Sequence, residues 1–558
     1  MRALAVTAVV ACSLLAVSVT GAHTGAAPQK VVFGITGDIN GGFNPALSCC
    51  SGLPGVSMTF PVLHGAFVQN AHGVWVKDLV SEAGANERGV SYTIRPDAFW
   101  YSGGRKVPVT YRDFVYTLRA LDNPSNDVAS RAGYANLDPT RFVHHGNRRV
   151  TFFWHTTGCS TDYPCGPFAD WPSLFAQLYP SFALVGRDFN KIWTSCICGS
   201  DGKPISDGPF YLARRVPGQT VVLKANPYYH DRAKLAEVDF EIVGADPGAL
   251  TEAMQSGQVD AISPSFAPDF LTLRTMPGLT YQIVPSYALE HLNLREGDAR
   301  GAPTVTSGAS NVLLRAPWMR QAIALALDRQ GMIDAVFGPR SGLTPANNLL
   351  YYPGEAGYRA DFARWNHSPA KAIALLRRHC SGGPTTPDPQ TTKVWRCSGL
   401  PAVFRYTWPS VAPARTLIEQ VAKANLKAIG IQIVDRPLPD AFDEITIGEF
   451  DIAQFADFTT GDAADWYDSY RCGGSANYTG YCSRTVDRLL RAANSELDPK
   501  KRIVLFQRAD AIMAGQVPTI PLFQKPGTLI RKSALLGIGP SASTYGPFWN
   551  IQDWHWKR

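Results

Sequence analysis

Along this chain the apolar positions switch repeatedly between two periods. Lys30 to Ile35 is a short apolar run that predicts a strand, and Val90, Tyr92 and Ile94 alternate as a half-buried strand does. Phe114, Val115, Leu118 and Leu121 then take up helical spacing, predicting a helix over Tyr111 to Leu121, with Thr110 and Asp113 placed to cap its start. Thr151–Trp154, Thr220–Leu223 and Val238–Ile242 read as strands, and Pro247–Ser256 as a short helix stopped by Gly257.

The second half is more helical. Trp318–Leu327 carries Met319, Ile323 and Leu327 on one side; Asp328 can cap a helix that runs to Phe337 and stops at Gly338. Thr416–Ile429 ends at Gly430. Val486, Leu489, Leu490, Ala493 and Leu497 keep a helical period, and Asp498-Pro499 opens another helix with proline at its first position, Ile503, Phe506 and Ile512 facing the core. Strands and helices in repeated succession predict an α/β fold. Gly382–Thr392 is a biased stretch expected to loop over the surface.

Length alters this picture first. A chain of 558 residues exceeds the roughly 250–300 that one core supports, so two or more lobes are expected. The composition, 45% hydrophobic and 18% charged, is that of a globular protein. Net charge is only +7, and the densest basic runs, Arg148-Arg149 and Lys500-Lys501-Arg502, are solvated faces rather than a nucleic-acid arm. Arg2, the apolar run Ala3–Val19 and the small-x-small pattern Thr20-Gly21-Ala22 predict an export signal over 1–22, cut before His23. Val9-Val10-Ala11-Cys12 resembles a lipobox and would make Cys12 a lipid-anchor site. No later segment has the length and apolarity of a membrane span.

Leaving Cys12 aside, ten cysteines remain, an even number suited to an oxidising compartment. Cys159 with Cys165, Cys380 with Cys397 and Cys472 with Cys482 are the expected bridges. Cys49-Cys50 and Cys196-Ile197-Cys198 hold cysteines too close for easy bonding within each cluster, so two bridges between the clusters are expected, in either register. No metal-ligand spacing is present, and no metal or cofactor is expected.

The chain has no G-x-S-x-G, H-E-x-x-H or P-loop motif, and Gly537-Ile538-Gly539-Pro540-Ser541-Ala542 lacks the βαβ context of a dinucleotide loop. A binding protein, not an enzyme, is expected.

Five stretches, in order, resemble the extracytoplasmic solute-binding family serving oligopeptide, dipeptide and nickel ABC importers. They are Ser91–Pro96 continuing to Pro108–Val115; Ser206–Leu212 with Asn226-Pro227-Tyr228-Tyr229; Ala253–Asp260; Met319–Ile323 with Ala326–Arg329; and Val486–Leu490 followed by Val517–Leu522. The resemblance covers nearly the whole chain after the signal. It implies a bilobed α/β periplasmic-binding-protein-like architecture, two mixed-sheet lobes joined by a hinge, closing on a ligand. Mapped onto this chain, lobe one is 23–286 with an inserted subdomain at about 61–205, lobe two is 287–523, and 524–558 return to lobe one. The hinge crossings fall near Tyr287–Asn293 and Pro521–Lys525.

The same resemblance implies a peptide held partly as an added strand, with a carboxylate on its α-ammonium. The matching stretch is Asp457–Trp466, where Phe458 stands in place of the family's tryptophan and the family's proline is missing. Asp462 is the first choice for the ammonium contact and Asp457 and Asp465 are the alternates; Phe458, Trp466, Tyr467 and Trp408 are candidate pocket walls. The implied partners are a peptide or other small ligand and the permease subunits of an ABC importer. The protein is expected to be a monomer, extracytoplasmic, held to the membrane through the transporter or a lipid anchor, and to bind no nucleic acid. Because the carboxylate stretch departs from the pattern, an oligosaccharide or metal chelate is an alternative ligand, a peptide sensor an alternative role, and a hydrolase built on Asp462 and Asp465 an alternative class.

Overall fold

The computed structural model describes residues 29–558 apart from 40, 51–52, 161–163, 245, 266, 298–308, 440 and 544. The expected signal over 1–22 and Cys12 lie outside the described residues.

The two lobe sheets foreseen from the sequence are halves of one ten-stranded mixed sheet. Its strands run, edge to edge, Phe210–Val216, Thr220–Ala225, Glu237–Ile242, Lys30–Ile35, Ala261–Ile262, Thr519–Lys532, Leu279–Leu294, Ile452–Phe458, Val403–Pro409 and Gln432–Leu438. Lys30–Ile35 pairs in parallel with both of its neighbours, and Val403–Pro409 does the same at the other end.

Two long antiparallel strands, Leu279–Leu294 and Thr519–Lys532, carry the sheet from one half to the other. Their ladder breaks between Pro285 and Leu289, opposite Pro526 and Gln524. Proline cannot donate to a ladder, and Pro285 and Pro526 face each other at the edge of this break. The core divides at the same place. One apolar cluster runs from Val31 to Val284 and resumes at Leu529–Trp554, while another is built wholly from Leu292–Phe523.

The stretch from about 61 to 205 adds a four-stranded antiparallel sheet of Val80–Asn86, Gly89–Ile94, Arg149–Trp154 and Leu137–His145, whose inner faces join the first of these clusters. Helix Tyr111–Asp122 packs beside it. Asp113 accepts the Thr110 N–H at 2.8 Å at the helix start and, through its other oxygen, the Ser181 N–H and hydroxyl. In the second half, Asp328 caps Arg329–Phe337 through Gly331 N–H (2.9 Å), and Asp498 caps Pro499–Gln516 through Lys500 and Lys501. Helix Pro413–Ala428 begins three residues before the apolar period does, because Pro413 supplies a ready first turn.

Bridges Cys159–Cys165, Cys380–Cys397 and Cys472–Cys482 pair as foreseen. Cys380–Cys397 ties two paired strands and closes the base of the 382–392 loop. The other two differ from expectation. Cys49 bonds Cys50 and Cys196 bonds Cys198, within the clusters and not between them. The clusters are near neighbours, with Phe43 N–H on Trp193 O at 2.8 Å. A local turn decides the pairing at each: Cys50 N–H returns to Leu47 O, and Ile205 N–H and Gly199 N–H close a hairpin around Cys198.

Candidate functional site

A cavity of about 420 Å³ opens where the sheet passes from one lobe to the other. Its floor lies beyond the carboxyl ends of the parallel strands Lys30–Ile35 and Ala261–Ile262, through Gly34–Thr36 and Ser263–Ser265, the usual place for a ligand in a parallel sheet. The crossing strands contribute Val284, Ser286, Tyr287 and Pro526–Thr528; the C-terminal return contributes Pro540–Ser543 and Gly546–Phe548; lobe two contributes Phe458.

The wall is firmly tied. Ser286 donates its hydroxyl to Lys525 O (2.6 Å), and Thr528 donates N–H and hydroxyl to Pro264 O. Tyr287 N–H reaches Ala542 O at 2.9 Å, which pins the C-terminal loop to the hinge. Phe33 and Phe548 meet edge to face with centroids 4.9 Å apart and make the apolar floor.

Tyr287 also joins the lobes. Its hydroxyl donates to His72 O at 2.8 Å, and its carbonyl accepts Thr459 N–H at 2.8 Å. Gly73 and Gly461 face its ring from opposite lobes, both at positive φ, and a Cβ on either would stand within 2.5 Å of the ring. Glycine supplies both the backbone conformation and the room. Gln69 Nε2 donates to Thr460 O (2.7 Å), and Ala169 N–H to Asn494 O (2.7 Å), so the described state has the lobes in contact.

The sequence candidates distribute unevenly. Phe458 lines the cavity and is 47% exposed. Trp466, Tyr467 and Trp408 are core residues of lobe two, away from the cavity; Trp408 spends its indole N–H on Thr416 Oγ1 at 3.2 Å. Asp462 is held in a two-pronged ion pair with Arg502, both contacts at 2.6 Å, and accepts Ala464 N–H at 2.7 Å. Burial lowers the Arg502 guanidinium, and the Asp462 charge and hydrogen bonds more than reverse this, so it sits above its ordinary value.

Asp465 accepts Thr460 N–H (2.6 Å) and hydroxyl (2.8 Å); burial, then the Asp462 charge, pushes it up to about 7. Asp457 has no donor within hydrogen-bond distance among the described residues. His291 Nε2 lies 3.9 Å away, and burial raises the Asp457 carboxyl, with His291 opposing and Glu290 assisting.

Sequence reading did not reach four parts of this site. Asp170, from the inserted subdomain, is buried at the lobe junction; burial, then the charges of Asp462 and Asp465, holds it well above the carboxylate range. Glu355 is pushed up to about 7 by burial, with Asp462 adding to the effect. Beneath Phe458, Glu290 pairs with Arg415 at 2.8 Å and Gln454 at 3.1 Å, and Lys525 Nζ stands 5.8 Å from the Phe458 ring. Burial pushes Glu290 up, but Arg415 and Lys525 carry it below its ordinary value; Lys525 is itself lowered, mainly by burial. The cavity residues of 263–265 and 540–548 carried a weak sequence signal, small and turn-forming residues around proline, and only tertiary contact gives them a role.

The family model for bacterial extracellular solute-binding proteins, family 5 (middle region), matches residues 78–479. The chain belongs to this family. The five ordered motifs therefore led to the right family, and the family's members bind solutes outside the cytoplasm. One relative, the oligopeptide-binding protein OppA of Mycobacterium tuberculosis H37Rv, is 26% identical over 469 residues, spanning 81% of this chain and 71% of its own. Two solved structures share the fold: the periplasmic EDTA-binding protein EppA (TM-score 0.81, 20% identity, 98% of this chain and 100% of its own) and the oligopeptide-binding protein AppA of Bacillus subtilis in complex with a nonapeptide (TM-score 0.73, 17% identity, 96% and 100%). The bilobed α/β architecture expected from the sequence is the one these structures share. No helix among the described residues is long and apolar enough to cross a membrane, and no group of His, Cys, Asp or Glu among them is placed to hold a metal.

Proposed function

We propose that this protein captures peptides between its lobes outside the cytoplasm and delivers them to the permease of an ABC importer. The observation that carries this reading is the position of the cavity: lobe one, both crossing strands and the C-terminal return wall it, and Phe458 reaches it from lobe two, so a ligand there touches both sides of the lobe junction. Its relation to OppA favours a peptide. Of the three carboxylates first considered for the ammonium contact, Asp457 is the one without a donor among the described residues; it precedes Phe458 on the same strand, faces the other side of the sheet and stands outside the cavity lining. We assign it that role and assign Asp462 the holding of Arg502. The lobes divide at 286–288 and 524–526, where the ladder breaks.

Native mass spectrometry of protein purified without denaturation tests the reading. A ladder of co-purified peptide masses is the expected result. A single non-peptide mass would remove the peptide assignment and leave a solute-binding protein of other specificity.

A further inference from the structure

The cavity has a chemistry that family membership does not specify. Among its described lining residues none is Asp, Glu, Lys, Arg or His. What lines it is rings, such as Phe33, Phe458 and Phe548, and short hydroxyls, such as Ser263 and Ser541. Of the charges nearby, Glu290 is paired with Arg415 and Asp462 with Arg502, while Asp457 and Lys525 stand outside the lining, Lys525 Nζ 5.8 Å from the Phe458 ring.

A charged ligand group drawn in as the lobes close would lose water and find no counter-ion, which is costly in a desolvated site. An uncharged side chain loses little, and an aromatic one gains offset stacking against the cavity rings. The hydroxyls can serve a phenol or an amide. Resting on the peptide reading above, we infer that this cavity is a specificity pocket that selects an uncharged residue of the bound peptide, aromatic ones first, and rejects lysine, arginine, aspartate and glutamate at that position.

The test is calorimetric binding of an alanine tripeptide in which Phe, Tyr, Gln, Lys or Glu replaces each position in turn. At one position Phe and Tyr should bind at least about tenfold tighter than Lys and Glu, with Gln between. Ser263→Asp places a carboxylate at an exposed lining position; it should raise affinity for the Lys peptide at that same position at least about fivefold and leave Glu no better. Lys and Glu binding within about twofold of Phe at all positions overturns the proposal and leaves the peptide reading standing. Glu binding better than Gln also overturns it, because Lys525 would then be acting as a counter-ion. If no member of the series binds, the peptide reading itself falls, and this inference with it.

Discussion

Replacing Asp462 by asparagine separates two roles for the carboxylate stretch at the lobe junction. In the structure both Asp462 oxygens are occupied by Arg502, and the two side chains are 17% and 16% exposed. Breaking a buried ion pair by removing one partner costs about 3–5 kcal/mol. Here the lower end applies, because the amide oxygen of the new asparagine can still accept Ala464 N–H and because Arg502 keeps its hydrogen bond to Ala493 O. A cooperative unit of about 240 residues has an unfolding entropy near ~0.5 kcal/mol/K, so a loss of about 3 kcal/mol lowers Tm by about 6 °C. Differential scanning calorimetry reads this directly. The companion measurement is the affinity ratio of a free-amine peptide to its acetylated form. That ratio should be unchanged in Asp462→Asn and should fall about tenfold or more in Asp457→Asn, the loss of one charge-assisted hydrogen bond. A stable Asp462→Asn protein whose discrimination against acetylated peptides has collapsed would falsify this division of roles.

Asp170 is biased toward its protonated form in the closed state by burial and by Asp462 and Asp465, so its carboxyl is raised relative to an open state in which it meets water. Closure is then favoured below its ordinary value near ~4 and weakens as pH rises toward the raised value, by up to about tenfold per pH unit; titrated by calorimetry between about pH 5 and 8, ligand affinity should fall with pH in the parent and stay flatter in Asp170→Asn. Gly461→Ala puts a methyl 2.5 Å from the Tyr287 ring at a residue with φ of 95°. It should weaken ligand binding about tenfold or more while leaving the far-ultraviolet dichroism unchanged, and parent-like affinity would mean that Tyr287 does not couple the lobes. Cys472→Ser with Cys482→Ser opens a loop of sequence separation 10 and should cost about 3 kcal/mol on the chain-entropy scale, seen as a lowered midpoint in urea.

What was legible in the sequence is what local chemistry controls. The strand Lys30–Ile35, the Asp328 and Asp498 caps, the Gly257 stop and the three cysteine pairs at sequence separations of 6, 17 and 10 each follow from residues close along the chain. The order of motifs was legible too, and with it the family and the bilobed architecture. The pairing of Cys49 with Cys50 and of Cys196 with Cys198 was not, because whether cysteines this close can bond depends on the backbone turn each pair occupies, which their spacing does not fix.

The site belonged mostly to the tertiary structure. From the sequence Asp462 is a turn aspartate near an aromatic, equally suited to a ligand or a cap; in the fold Arg502, forty residues on, occupies both of its oxygens. The cavity is made where 33–36, 263–265, 284, 286–287, 458, 526–528, 540–543 and 546–548 converge, and no periodicity along the chain marks that meeting. The sequence by itself determined a secreted-type, disulfide-bearing, two-lobed solute-binding fold, since these rest on local patterns and their order. Only the tertiary structure decided which carboxylates are spent on partners and which residues wall the cavity, because charge pairing and exposure depend on residues brought together from far apart.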